Sequence, residues 1–170
     1  TVGSGQNTAD LTISSLSLLS GATITDSAGN PLNPTLPAAG KNLHLTIDSI
    51  RPSVTSATVA PSPGTISNGG TAVITLKLSE TVTVSGGTPV LDLNDGGTAI
   101  YAGGAGTTSL TFDYVAGSET TADLRITGIE NAATITDSAG NALASGLSSD
   151  LKLGVNADFW KTGKSGNFAT

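Results

Sequence analysis

The acidic residues are the side chains whose types and spacing could do chemistry. Four of them, Asp48, Glu80, Asp95 and Asp137, lie at or near the ends of apolar runs. If a strand starts after Pro52 and the following strands alternate in direction, the other three return to the end of the sheet where Asp48 lies. Calcium prefers oxygen ligands and takes about six to eight of them. The sequence therefore predicts a calcium site formed by these four carboxylates.

The same residues have a second interpretation that needs no ion. Aspartate and asparagine side chains accept hydrogen bonds from nearby backbone N–H groups and so favour tight turns, as expected for NDGG and TDSAGN. TDSAGN occurs twice, which makes Asp26 an earlier copy of Asp137. Asp26 is expected to have few neighbouring ligands. The sequence leaves both roles open, ion ligand and turn acceptor.

No residue pattern supports catalysis. His44 is the single histidine, and it stands in LHLTI on the opposite face of a strand from Leu43 and Leu45, which predicts an exposed or edge position. The chain has no cysteine and no second histidine to complete a zinc site, and no recognisable Ser-His-Asp spacing. Glycine clusters such as GGAG precede strands rather than helices, which argues against a phosphate-binding loop. The chain is therefore predicted not to be an enzyme.

The charge balance argues against two classes of partner. Lys and Arg number 7 and Asp and Glu number 13 among the 170 residues, which gives a net charge of −6. Nucleic acids and anionic membrane surfaces attract clustered basic side chains, which this chain lacks. No apolar run approaches the roughly 20 residues that cross a bilayer. We expect neither nucleic-acid binding nor membrane insertion.

Short strands are the elements that must position these residues. Apolar and polar residues alternate over short runs, and Gly, Asn, Asp, Ser or Pro separate the runs. In TAVITLKL, for example, the four apolar residues from Ala72 to Leu78 share one face. Turn signals about every 8 to 12 residues are typical of an immunoglobulin-like antiparallel β-sandwich. The predicted strands are 54–59, 72–78, 82–84, 90–93, 99–101, 110–114, 123–126, 133–136 and 151–155.

An internal repeat divides the chain. ATITDSAGN occurs at residues 22–30 and again at 133–141, and two further segments align, 8–16 with 121–129 and 43–49 with 151–157. These matches predict the C-terminal half of one module at 1–50 and a complete module at 51–156. The strands predicted at 11–16, 22–25 and 43–47 would lack the partners that their counterparts have. We expect strands of a neighbouring copy, or its tail, to complete them in trans.

Residues 157–170 break the repeat. Asn156 stands where the alignment places Asp48, and three of the few aromatic residues follow, Phe159, Trp160 and Phe168. Two interpretations stay open. The segment is either the start of a different β-rich module or a tail that folds back over the end of the sandwich.

Two long stretches resemble a known class of repeat. VITLKLSETVTVSGGTPVLDLNDGGTAIYAGGAGTTSLTFDY and TADLRITGIENAATITDSAGNAL are similar to the immunoglobulin-like repeats that stand in tandem in giant secreted or surface-attached bacterial adhesins and biofilm proteins. The resemblance covers most of residues 1–155, and its most specific parts are LNDGGTAIY and TDSAGN. It implies a non-catalytic stalk or spacer, extracellular or on the bacterial cell surface, often with calcium at the junctions between modules.

A carbohydrate-binding β-sandwich module is the alternative function. Tyr101, Phe112 and Tyr114 are spaced as sandwich residues, and their rings together could form a platform on which a sugar stacks. Trp160 is a further candidate. A glycan or another molecule of a cell surface would then be the partner. Loss of glycan binding on changing Tyr101 or Trp160 to alanine would favour this function over the spacer.

Overall fold

The chain folds as two units, Thr1–Ile50 and Arg51–Thr170. The structure, a computed structural model, describes residues 1–36, 42–62, 64–144, 147 and 149–156. The boundary between the units falls where the sequence repeat divides the chain. The predicted tail or new module at 157–170 lies outside the described residues, so both of its interpretations stay predictions.

Strands dominate the second unit. They are β1 (Val54–Ala60), β2 (Gly64–Ser67), β3 (Thr71–Val84), β4 (Val90–Leu93), β5 (Thr98–Gly103), β6 (Thr107–Val115), β7 (Arg125–Glu130), β8 (Ile135–Thr136), β9 (Ser149–Asp150) and β10 (Leu153–Asn156). One 3-10 turn, Ala132–Thr134, is the only helical element in the described part of the chain. None of the described residues forms a helix long and apolar enough to span a bilayer. The prediction of an all-β fold is confirmed.

One curled antiparallel sheet organises most of these strands. Its order is β1-β3-β6-β5-β4-β7-β9, and β8 pairs with the end of β3. β2 and β10 form a separate parallel pair, with Ile66 opposite Val155. β2 lies within SPGTISNGG, whose Pro, Asn and Gly residues favour a turn. The burial of Ile66 shows why part of this segment is a strand instead, because its one large apolar side chain faces the core.

The core of the second unit lies along β3 and β6. In β3 the residues Ala72, Ile74 and Leu76 are buried, and in β6 the buried residues are Leu110, Phe112 and Tyr114. Their polar neighbours in each strand point away from the core, because side chains alternate between the two faces of a strand. The shared apolar face predicted for TAVITLKL is confirmed.

The course of β3 corrects the predicted strand count. β3 runs from Thr71 to Val84, so the strands predicted at 72–78 and 82–84 are one strand. Its pairing with β6 shifts register between Lys77 and Val82. The residues between them, LSET, contain no Gly, Pro or Asn that would favour a reversal, so the chain stays extended through the irregularity.

The first unit has the hydrogen bonds of paired strands without extended ladders. Isolated bridges join Thr8 to Ile47, Thr12 to Asn42, and Thr25 to Pro31. No continuous strand occurs among the described residues of this unit. The strands predicted at 11–16, 22–25 and 43–47 are therefore present only as single bridges.

The apolar side chains of the first unit are exposed. Ten of the thirteen large exposed hydrophobic residues in the described part of the chain belong to it: Val2, Ile13, Leu16, Leu18, Leu19, Ile24, Leu32, Leu43, Leu45 and Ile50. The buried hydrophobic residues among those described all lie from Val59 onward. The first unit thus presents an open apolar surface, which hereafter is called the open face.

Candidate metal centre

Two of the four predicted ligands, Glu80 and Asp137, lie together at one end of the second unit. Glu80 is in β3, and Asp137 directly follows β8. Because β8 pairs with the end of β3, with Thr136 opposite Thr83, one carboxylate oxygen of Glu80 lies within 4.8 Å of one of Asp137. Glu80 is half-buried and Asp137 is buried. Two carboxylates this close repel each other unless a cation, a proton or hydrogen bonds offset their charge.

Hydrogen bonds hold the Asp137 carboxylate in its turn. Its Oδ1 accepts the N–H groups of Ala139 and Asn141 at 2.8 and 2.9 Å, and its Oδ2 accepts Nδ2 of Asn141 at 2.8 Å. Burial raises the pKa of this carboxyl group, but the hydrogen bonds from Asn141, Ala139 and Gly140 stabilise the charged form and leave its pKa below the ordinary value. Asp137 therefore serves as a charged acceptor that closes the turn.

The earlier copy of this loop closes in the same way. Asp26 Oδ1 accepts the N–H groups of Ala28 and Asn30, and its Oδ2 accepts Nδ2 of Asn30, all at 2.9 Å. The side chain of Asn30 is the main cause of the lowered pKa of Asp26. Gly29 and Gly140 occupy matching positions with the same φ of 88°, which favours glycine. The turn-acceptor role thus describes both copies of TDSAGN.

The structure does not bring Asp95 to Glu80. Asp95 lies in the turn after β4, where its Oδ1 accepts the N–H of Gly97 at 3.0 Å and its Oδ2 accepts the hydroxyl of Tyr114. Tyr114 pairs with Ala72, which stands eight residues before Glu80 on β3. At a rise of ~3.3 Å per residue, Ala72 and Glu80 are separated by about 26 Å along the strand. The prediction for Asp95 is wrong because β3 continues through two predicted strands, so β4 runs in the opposite direction from that expected.

Asp48 belongs to the first unit, and its Oδ1 accepts the N–H of Ile50 at 3.0 Å. Three of the four predicted ligands, Asp48, Asp95 and Asp137, thus accept a hydrogen bond from the residue two positions on. This spacing defines the turn that an aspartate side chain closes with its own backbone. That Asp48 joins Glu80 and Asp137 in a metal site stays a prediction.

The pair of Glu80 and Asp137 fits calcium only in part. Carboxylate oxygens are the ligands that calcium prefers, but it takes about six to eight. Asp137 Oδ1 accepts two hydrogen bonds, one for each lone pair, so Oδ2 is the oxygen of this residue with remaining capacity. With the two oxygens of Glu80, the pair offers at most about three ligand atoms. Backbone carbonyls, water or a further carboxylate would have to supply the others.

If calcium binds here, it should raise the melting temperature of the second unit, because an ion that binds only the folded state stabilises it. At a free concentration about 100-fold above Kd the gain is about 2.7 kcal/mol. Glu80→Ala combined with Asp48→Ala should abolish the shift, and each single change measured by calorimetry shows which carboxylate contributes. Asp26→Asn is the matched control and should leave the shift intact. An unmoved wild-type transition in millimolar calcium contradicts the site.

The predicted aromatic platform does not form. Phe112 and Tyr114 are fully buried, so neither ring has a face for a sugar. Tyr101 is half-buried, packs edge-on against Phe112 with ring centroids 5.9 Å apart, and accepts the N–H of Ala105 at 3.0 Å. Trp160 lies outside the described residues. The three rings act in packing, which removes the structural basis of the carbohydrate-binding alternative at this position.

The hydrogen bond from Tyr114 to Asp95 is a feature that the sequence reasoning missed. It fastens the turn after β4 to the end of β6. Burial, together with the adjacent carboxylate, raises the pKa of the Tyr114 hydroxyl, which keeps it protonated as the donor. The signal was available, since an inward-facing tyrosine needs a partner for its hydroxyl.

Removing this hydrogen bond should destabilise the second unit while leaving the ring in place. Tyr114→Phe should lower the free energy of unfolding by about 1.5–3 kcal/mol, the range for hydrogen bonds to charged groups. Tyr101→Phe is the control, because its hydroxyl accepts only a neutral N–H at the surface, and it should cost no more than about 1 kcal/mol. Urea denaturation measures both. Equal losses in the two variants would contradict a special role for Asp95.

His44 is exposed, as its place in LHLTI predicts.

Comparison with known proteins gives no relative: no family model, no curated protein and no solved structure matches the chain. The function must therefore be inferred from the sequence and geometry of the chain itself.

Proposed function

We propose that this chain is a non-catalytic spacer, part of a tandem array of immunoglobulin-like modules in a large bacterial extracellular or cell-surface protein. Adhesion, biofilm formation or filament assembly is the process that such an array serves. The observation that carries the proposal is the double occurrence of TDSAGN with the same hydrogen bonds in both units. An array gives length with little sequence complexity, because each module needs only its own core and a junction to the next.

The scarcity of buried polar side chains in the described part of the second unit supports a structural role. Among the described residues, Asp137 is the only buried polar or charged side chain, and its hydrogen bonds close a turn. A catalytic site would place several such groups in a protected cleft. The other buried residues that the structure describes form a single hydrophobic cluster, in which the hydroxyl of Tyr114 is taken up by its hydrogen bond to Asp95.

The course of the chain through the second unit also suits an array. β1 starts near the end where Glu80 lies, since Val54 pairs with Leu78. β10 finishes at the other end, where Val155 bridges Thr121 and the nearby Asn94 side chain bonds the carbonyl of Asp123. Modules joined in series through these ends would extend along the strand direction.

Small-angle scattering tests the spacer directly. Proteins with one, two and four copies of residues 51–156 in series should increase in maximum dimension by about 45 Å per copy, the length of a 14-residue strand such as β3. Calcium should sharpen this increase if it stiffens the junctions. A maximum dimension that grows only as the cube root of mass would show collapse of the modules onto one another and would overturn the spacer function.

A further inference from the structure

The first unit repeats the backbone hydrogen bonds of residues 121–155. Thr8 and Ile47 exchange two bonds of 2.8 and 2.9 Å, and the aligned Thr121 and Val155 exchange two of 3.0 and 2.8 Å. Aligned leucines are joined in the same way, Leu11 with Leu45 and Leu43 in one unit and Leu124 with Leu153 and Leu151 in the other. The two segments are therefore the same structural element, formed once with a core around it and once without.

The left-handed backbone positions repeat as well. His44 and Lys152, which the alignment places together, have φ values of 51° and 53°. Such values are uncommon for residues other than glycine. Their recurrence shows that this left-handed backbone conformation belongs to the element itself and not to its surroundings.

Burial is where the two copies differ. Five apolar residues of the open face, Ile13, Ile24, Leu32, Leu43 and Leu45, are 40–50% exposed. Their aligned counterparts, Ile126, Ile135, Leu143, Leu151 and Leu153, are at most 4% exposed. The open face is thus the surface that the second unit buries in its core.

The second unit shows what covers this surface. Strand β4 pairs with β7, with Leu91 opposite Ile129. Strand β2 pairs with β10, and the end of β3 pairs with β8, with Val84 opposite Ile135. All three strands come from the first half of the module, and their residues Ile66, Val82 and Leu91 lie in the same buried cluster as the five counterparts. They are therefore called the covering strands.

The alignment defines where this first half ends. TVGSGQNTADL at residues 1–11 aligns with YVAGSETTADL at 114–124, so Thr1 corresponds to Tyr114. Residues 51–113 are therefore the part of the second unit that has no counterpart among residues 1–50. We propose that the open face is a docking surface for a second copy of segment 51–113, that is, for the first half of a module. This proposal rests on the modular array proposed above and names the partner of its incomplete module.

The segment 51–113 within the same chain is already engaged. Its strands β2, β3 and β4 pair with β10, β8 and β7. The copy of this segment in the second unit is therefore not available to the open face. The occupant of the open face is therefore a further copy of the first half, beyond the one that the second unit uses.

The test is a protein with a second copy of residues 51–113 joined directly ahead of Thr1 of the full chain. Amide exchange at residues 8–36 and 42–47 should slow by at least about 100-fold, because these strands would become part of a buried core. In this protein Ile24→Ala should lower the melting temperature of the added module, as it cannot where the residue is exposed.

Two variants of the added copy separate docking from mere attachment. Leu91→Asp changes a fully buried residue of the covering strand β4 and should abolish the protection. Ile100→Asp changes a residue that is 55% exposed and should preserve it. Thr1→Tyr should increase the protection further, because it restores the donor to the Asp95 of the added copy.

Unchanged exchange at residues 8–47 in the extended protein would overturn the proposal. Slow exchange of the same residues in the monomeric original chain would also overturn it, since the face would then be closed without a partner. Release of residues 119–156 on dimerisation would identify exchange between chains instead. The proteins used for scattering consist of residues 51–156 and therefore lack the open face. Failure of that experiment would count against the proposed spacer function and not against the proposed docking surface.

Discussion

Ile135→Ala should lower the free energy of unfolding of the second unit by about 2–5 kcal/mol, the cost of truncating a fully buried isoleucine. For a unit of this size the melting temperature should fall by roughly 10 °C. The loss arises from the apolar contacts removed and from the cavity left between β8 and the end of β3, which the paired backbones prevent from closing.

The sequence supplies an unusually close control. Ile24 stands in the same nine-residue string, and in each unit the backbone N–H of the residue eight positions on donates to the carbonyl of this isoleucine, from Leu32 and from Leu143. Ile24 is 46% exposed and Ile135 is 0% exposed. Ile24→Ala should therefore leave the main calorimetric transition unmoved. Similar losses in the two variants would show that local sequence, rather than burial, decides the stability of this element.

Asp137→Ala should cost about 2–4 kcal/mol, because it leaves the N–H groups of Ala139 and Asn141 without their acceptor. Asp26→Ala removes the same set of hydrogen bonds from an exposed loop and should not change the unfolding of the second unit. Chemical denaturation near neutral pH measures both. A loss for Asp137→Ala no greater than for Asp26→Ala would contradict the importance of the buried turn.

The same carboxylate makes stability depend on pH with a defined sign. The folded-state pKa of Asp137 lies below the ordinary value of about 3.9 because the hydrogen bonds outweigh the effect of burial. The unfolded state therefore binds the proton more readily, and stability rises with pH in this range. The contribution is fully present above about pH 4 and is lost as pH falls through the lowered pKa. Asp137→Asn should flatten this part of the stability profile, and an unchanged profile would refute the assignment.

Local patterns proved sufficient for the strand faces and insufficient for the strand count. The alternation in TAVITLKL depends only on the twofold repeat of a strand, so Ile74 and Leu76 could be placed in the core from sequence. The residues between Lys77 and Val82 include none that favours a turn, so the sequence does not show whether the strand continues there. How the irregularity changes the pairing depends on β6, which lies far along the chain. Because this one strand was predicted as two, the sequence placed Asp95 at the wrong end of the sheet.

In the candidate site, too, the local contacts could be predicted from the sequence and the contacts between distant segments could not. The turn role of Asp137 follows from TDSAGN, because all of its hydrogen-bond partners lie within four residues. Its proximity to Glu80 arises from the pairing of β8 with β3, 53 residues apart at Thr83 and Thr136. The partner of Tyr114 likewise depends on the true direction of β4. Contacts between distant segments are the part that periodicity alone does not determine.

The parallel pair of β2 and β10 determines how the second unit would respond to tension. Among the described residues of this unit, β1 starts at one end of the strands and β10 ends with Asn156 at the other, and β2 and β10 run in the same direction. A pull on residues 51 and 156 would therefore slide β2 and β10 past each other along their length. The bonds of this ladder, from Leu153 opposite Gly64 to Asn156 opposite Ser67, would share the load in shear and would have to break together rather than one at a time. The pair thus forms a mechanical clamp in the path of the force.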